Sequence, residues 1–153
     1  MKTLARPADS DELRRRLRRL RPDSVRRWGR MSAHQMVCHL SDSMLVATGQ
    51  KTASPATTLP SRTFIKWIAL YLPVRWPVGI LTRPEIDQEA GGTRPVEFAV
   101  DLARLERLME TAGTADRRVH WAATHPIFGR MSARAWLRWA YLHTDHHLRQ
   151  FGV

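Results

Sequence analysis

The stretch from Ser132 to Gln150 constrains this chain most, because it reads as one long helix that must be covered on two sides. At about 100° per residue, Trp136, Trp139, Ala140, His143, His147 and Gln150 gather on one face. Leu137, Tyr141 and Leu148 form a second apolar stripe on the far side. A helix apolar on two faces is either central in its bundle or shared between subunits, so the stripe raises the expectation of a homodimer. His143 and His147 stand about 6 Å apart along the axis on one face, which is the spacing of two ligands to one metal. With seven histidines in 153 residues, chance supplies about 0.3 such pairs, so the pair alone is weak and a third ligand is required. Without one, two half-buried rings satisfied by hydrogen bonds explain it as well.

The rest of the chain also reads as helices. Asp9 with Glu12 has the form of a capping box, and Leu13, Leu17 and Leu20 keep helical spacing, which predicts a helix over about 10–20. Ser32 with Gln35 caps a second helix over 33–48, closed by Gly49 and carrying His39. Residues 50–61 and 83–92 read as loops. Pro95, then Phe98, Leu102, Leu105 and Met109 predict a helix over about 95–112, followed by a loop over 114–131. No segment alternates as a strand does, so an all-α fold is expected, forming one domain over 1–153. Gly29-Arg-Met-Ser-Ala33 and Gly129-Arg-Met-Ser-Ala133 are identical lead-ins to two histidine-bearing helices, explained by reuse of good capping chemistry.

Residues 63–82 are apolar enough to raise a membrane partner. Lys66 and Arg75, with Pro73 and Pro77, leave no uninterrupted run of about 18 apolar residues, so no membrane is expected. The stretch reads instead as a short core or dimer-interface helix, or as an apolar lid over a substrate pocket. The formal charge of +11 is concentrated in residues 1–31, where eleven Lys/Arg face four Asp/Glu. Such a patch attracts nucleic acid, but the basic stretch lacks the interleaved aromatics that stack on bases, and a solvated face is the preferred reading. The single cysteine, Cys38, forms no internal disulfide, and Met1 to Arg30 lacks the apolar segment of a secretory signal. A cytoplasmic protein is expected.

The run Met31-Ser-Ala-His-Gln-Met-Val-Cys-His-Leu-Ser-Asp-Ser43, with His125-Pro-Ile-Phe-Gly129 and the closing His143-Thr-Asp-His-His-Leu-Arg-Gln150, resembles the DinB/YfiT-like metalloenzyme superfamily. Within it the chain is most similar to the branch known as domain of unknown function 1569. The resemblance covers about residues 10–151 and implies an up-down-down-up four-helix bundle with an extra short helix, often dimeric, with a divalent metal at one end of its core. It places the ligands on His39, His143 and His147. It further implies, from some relatives, a transferase or isomerase using a low-molecular-weight thiol such as bacillithiol, mycothiol or glutathione.

Three neutral imidazoles leave a divalent ion its charge and an open position, as catalytic sites require. Zinc or nickel is expected, with a small molecule as substrate and a metal-dependent transferase or hydrolase as the enzyme class. Thr144 stands where a His-Glu-x-x-His protease carries its glutamate, which argues against protease chemistry. Asp42, one turn after His39, is placed to orient a ligand imidazole or hold the metal's water, unless it merely caps its helix. His146 is expected to line the pocket and His125 to sit at its mouth, where a cofactor binds; each has a surface or packing alternative. Cys38 falls about 100° from His39 and reads as packed and inert. The basic nucleic-acid binder and the non-catalytic metal scaffold remain the alternatives.

Overall fold

Pro7 opens the first helix at a position where its missing N–H costs nothing, so α1 runs Pro7–Leu17 rather than over 10–20. Arg6 is the cap residue, and the expected Asp9 box does not form: Asp9 lies inside α1, where its carboxylate accepts from the Thr3 N–H at 3.0 Å. The computed structural model describes residues 1–114 and 119–153; the undescribed four fall within the loop expected over 114–131. The remaining helices are α2 (Ala33–Ala47), α3 (Leu59–Arg62), α4 (Phe64–Tyr71), α5 (Phe98–Gly113) and α6 (Ala133–Gln150), with a 3-10 turn at Pro84–Ile86. α3 is a correction to the loop expected over 50–61, since a Thr58/Ser61 capping box starts a turn there.

The expectation of no strand also needs correction. Thr124–His125 (β1) and Gly129–Arg130 (β2) pair antiparallel as a tiny hairpin. Two-residue strands are too short to carry an alternating pattern, so periodicity had nothing to register. The other regular elements among the described residues are helices. α2 packs on α5 and α6, and α1 on α5 and α6, around one apolar cluster that includes Leu13, Leu17, Met36, Leu40, Leu105 and Trp136.

The second stripe of α6 is covered from within the chain. Leu148 and Tyr141 are buried, the Tyr141 hydroxyl donates to Glu12 Oε2 of α1, and the Leu137 carbonyl accepts from the Leu4 N–H. α6 is therefore central among the helices, and the stripe is no free face for a second subunit. Of the readings for residues 63–82, the core helix is the one α4 does not fit: Leu70 alone is buried, while Phe64, Ile65, Trp67, Ile68 and Tyr71 are exposed. Much of the basic stretch is paired with the chain's own acids, as in Arg14–Asp11, Arg16–Asp145, Arg18–Glu106 and Arg30–Asp87. Among the described residues, no helix is long and apolar enough to cross a membrane.

Candidate metal centre

Identical lead-ins aim the two ligand-bearing helices. At Gly29 and Gly129 the backbone takes φ of 74° and 65°, values that glycine tolerates freely, and three residues later a serine caps each helix. Ser32 accepts from the Gln35 N–H at 3.1 Å and Ser132 from the Ala135 N–H at 3.2 Å. The five-residue repeat thus shares a positive-φ glycine and a serine cap, while Gly129–Arg130 is also the strand β2 and Gly29–Arg30 is a bend. Helical phase then carries His39 from α2 and His143 and His147 from α6 to a common point.

Nε2 of His143 lies 3.3 Å from Nε2 of His39 and 3.1 Å from Nε2 of His147. Two nitrogens bound to one zinc at about 2.0–2.1 Å in tetrahedral geometry stand roughly 3.3 Å apart, so the observed spacing fits a shared ion. His39 is buried; His143 and His147 keep some surface as whole residues, but their ligand-bearing side chains are buried.

The outer nitrogens decide which way the lone pairs face. Nδ1 of His39 lies 2.9 Å from the Ile86 carbonyl, which only accepts, so Nδ1 holds the proton and Nε2 is bare. Gln150 fixes His147 in the same way. Its Nε2 donates to the Trp28 carbonyl at 2.8 Å, which turns its Oε1 toward His147 Nδ1, also at 2.8 Å. Both rings therefore present lone pairs to the third. Whichever nitrogen of His143 holds its proton, a buried ring nitrogen is left over, because Nδ1 of His143 has no partner among the described residues. One divalent cation at the common point would satisfy all three inward nitrogens, so the donor set fits a metal.

Burial pushes all three imidazoles below the usual histidine range. For His143, the neighbouring rings of His147 and His39 lower it further; for His147, His39 does the same against a small opposing effect of Gln150. Neutral rings are the form that ligates. Around them, Trp139 stacks on His143 with ring centres 4.6 Å apart, and Trp76 approaches His143 and His146 at 6.1 Å.

Asp42 is fully enclosed but turned to other work. Its carboxylate accepts from Gln88 Nε2 (3.1 Å), the Thr93 N–H (2.8 Å) and the Thr93 hydroxyl (2.6 Å), and pairs with Lys51 Nζ at 2.9 Å. The partner that orients His39 is the Ile86 carbonyl instead. Asp42 ties the 88–93 segment to α2 beside the turn that presents that carbonyl. His146 packs between Trp28 (5.9 Å) and Trp76, 5.3 Å from the His147 ring centre, with its own Nδ1 buried and without a partner among the described residues. His125 stands apart from the three. Its Nδ1 accepts the Ile127 and Phe128 N–H groups at 3.0 and 3.1 Å, closing the hairpin turn, and the Trp139 ring packs against both His125 and His143. A cavity of about 290 Å³ beside His125 is lined by Pro55, Arg62 and Arg130 among others, and none of the three converging histidines lines it.

A second trio joins α2 to α5. His34 Nε2 lies 2.7 Å from Asp101 Oδ2, and Cys38 completes the group. Cys38 is buried, and desolvation, then the Asp101 charge, push its thiol up to about 12. Reading the sequence for ligands missed Ile86, whose carbonyl carries no residue signature, and gave Gln150 a place on the face but no role.

No curated protein and no solved structure matches the chain. A family model matches residues 4–152, almost the full length that contains both trios and the hairpin. The chain belongs to DUF1569, a family of proteins of unknown function.

Proposed function

We propose that this protein is a divalent-metal-dependent enzyme of the DinB/YfiT-like type, one domain folded as an up-down-down-up four-helix bundle around α1, α2, α5 and α6. The observation that carries the reading is the convergence of three Nε2 atoms, two of them held bare by partners on their outer nitrogens and the third on a ring whose outer nitrogen has no partner among the described residues. A divalent ion held by neutral imidazoles supplies Lewis acidity, lowering the pKa of a bound water or low-molecular-weight thiol toward neutrality. Zinc or nickel suits the donor set.

The chain's own residues divide the remaining work. Ile86 and Gln150 hold the tautomers of His39 and His147, and Asp42 steadies the loop that follows Ile86. Trp28, Trp76 and Trp139 wall the rings and exclude water. His146 is the nearby group free to take or give a proton during attack on a small electrophile. His125 acts through the hairpin and Trp139, as a positioning residue.

The test is metal analysis of untagged protein, followed by thermal-shift titration with zinc and nickel. About one equivalent per chain, and a rise in melting temperature absent from His143→Ala, are the expected results. Wild-type protein that neither retains nor responds to any divalent ion would overturn the reading.

A further inference from the structure

Ten of the fourteen large apolar side chains exposed among the described residues fall between Leu59 and Leu81. Phe64 and Trp67 are 58% and 55% exposed, Leu81 is 85% exposed, and Ile65, Ile68 and Tyr71 continue the surface. The segment is fastened rather than loose. Leu70 is buried, its carbonyl accepts from Arg138 Nε at 2.9 Å, and Lys66 Nζ donates to the Arg130 carbonyl at 3.0 Å. A contiguous apolar surface of this kind on a folded protein marks an interaction site.

Charge indicates what covers it. Between Asp42 and Glu85 the sequence holds Lys51, Arg62, Lys66, Arg75 and Arg83 and not one Asp or Glu. A twofold interface with a second copy would set Arg62, Lys66 and Arg75 against the same three cations, with no carboxylate in the segment to balance them. An anionic lipid surface meets both properties. Its headgroups attract the cations, and Trp and Tyr favour the boundary between headgroups and acyl chains. Lying in that boundary needs no span across the bilayer, which the helices here do not provide.

We propose that α4 and the following segment to Leu81 dock the protein on the surface of an anionic lipid bilayer. Trp76, in the same segment, turns inward to donate its Nε1–H to the Ala69 carbonyl and packs near His143, so the docking surface and the candidate metal centre meet at that indole.

The experiment is co-sedimentation of the full chain with vesicles of phosphatidylcholine alone or containing about a third phosphatidylglycerol, with tryptophan emission as a second readout. The wild type is expected to partition at least about tenfold more strongly onto the anionic vesicles, with a blue shift in emission. Phe64→Ser/Trp67→Ser should lower that partition at least about tenfold with an unchanged melting curve, since both side chains are on the surface. Lys66→Gln/Arg75→Gln should weaken it and flatten its salt dependence. No binding to either vesicle overturns the proposal. So does undiminished binding of the serine variant, which would assign the effect to the basic stretch Arg14–Arg30. A wild-type dimer that the serine variant converts to a monomer would give this surface to a second copy and overturn it as well.

Discussion

Two trios of side chains bridge neighbouring helices, and both are built on the same spacing. His34 and Cys38 stand four apart on α2 and meet Asp101 of α5; His143 and His147 stand four apart on α6 and meet His39 of α2. In each, the potential ligand atoms lie within 4.8 Å of one another. Their hydrogen-bond balance is opposite. In the first trio the imidazole donates to a carboxylate that also accepts the Val96 N–H, with the Cys38 thiol beside it. Burial alone would raise the Asp101 carboxyl, but these donors and the His34 charge outweigh it and bring it down. That trio closes on itself. In the second, two bare nitrogens face a third ring whose outer nitrogen has no partner among the described residues, so no placement of the His143 proton satisfies every ring nitrogen and a cation would. Spacing brings ligands together, and the balance of donors and acceptors decides whether they need a metal.

The largest effect expected is at His143, which touches both other rings. His143→Ala should lower zinc affinity by more than the ~10–100-fold typical of a residue one step removed from the metal, abolishing the single equivalent. Asp101→Asn should leave that equivalent in place. Two equivalents in the wild type, or loss of metal in Asp101→Asn, would break the distinction between the trios.

Gln150→Leu sharpens it at the next level, because it removes the acceptor that holds the His147 tautomer without touching a ligand. A ~10–100-fold loss of affinity by calorimetry is expected. An unchanged affinity would show that the tautomer is set elsewhere. For the closed trio the corresponding readout is stability: Asp101→Ala strands His34 and the Val96 N–H and should cost about 1–3 kcal/mol in denaturant unfolding.

His125 separates burial from function. It is buried without a charged partner, and desolvation drives its pKa from 6.5 down to about 3. The folded state holds this ring neutral while the unfolded chain takes up a proton, so its contribution is complete above pH 6.5 and is lost as pH falls toward 3. Unfolding at pH 5 should therefore be easier than at pH 7 by about 2 kcal/mol from this residue. His125→Phe should flatten that slope. An equal slope in the variant would shift the acid sensitivity to other groups.

Much of this was legible in the sequence because it is periodic. Helical spacing placed α2, α5 and α6 to within a few residues and put His143 and His147 on one face, whereas His39 as the third member came from the resemblance and not from periodicity. The hairpin stayed hidden since two residues make no pattern, and Pro7 outcompeted the Asp9 box because a fixed φ at the first helical position needs no side-chain partner. Asp42 illustrates a different limit. Its place on the helix could be read, but its partners Gln88, Thr93 and Lys51 come from other segments, and only folding decides which groups a carboxylate meets. The apolar run over 63–82 was visible while its exposure was not, because composition is silent on which side of a short helix is covered.

The smallest effect expected compares the serine caps of α2 and α6, the helices that supply the three converging histidines. Ser32 has a full capping box, its own N–H donating to Gln35 Oε1 at 2.8 Å, whereas Ser132 has the single bond to Ala135. Ser132→Ala should cost about 1 kcal/mol, and Ser32→Ala somewhat more because Gln35 loses its reciprocal arrangement. α2 carries members of both trios and α6 carries two members of one. Fraying at Ser132 is followed by more than two turns of buried helix before His143, so melting temperature should fall while zinc affinity holds. A drop in affinity in Ser132→Ala would mean that the position of His143 depends on the first turn of α6 rather than on the packing of Trp136 and Trp139 beneath it.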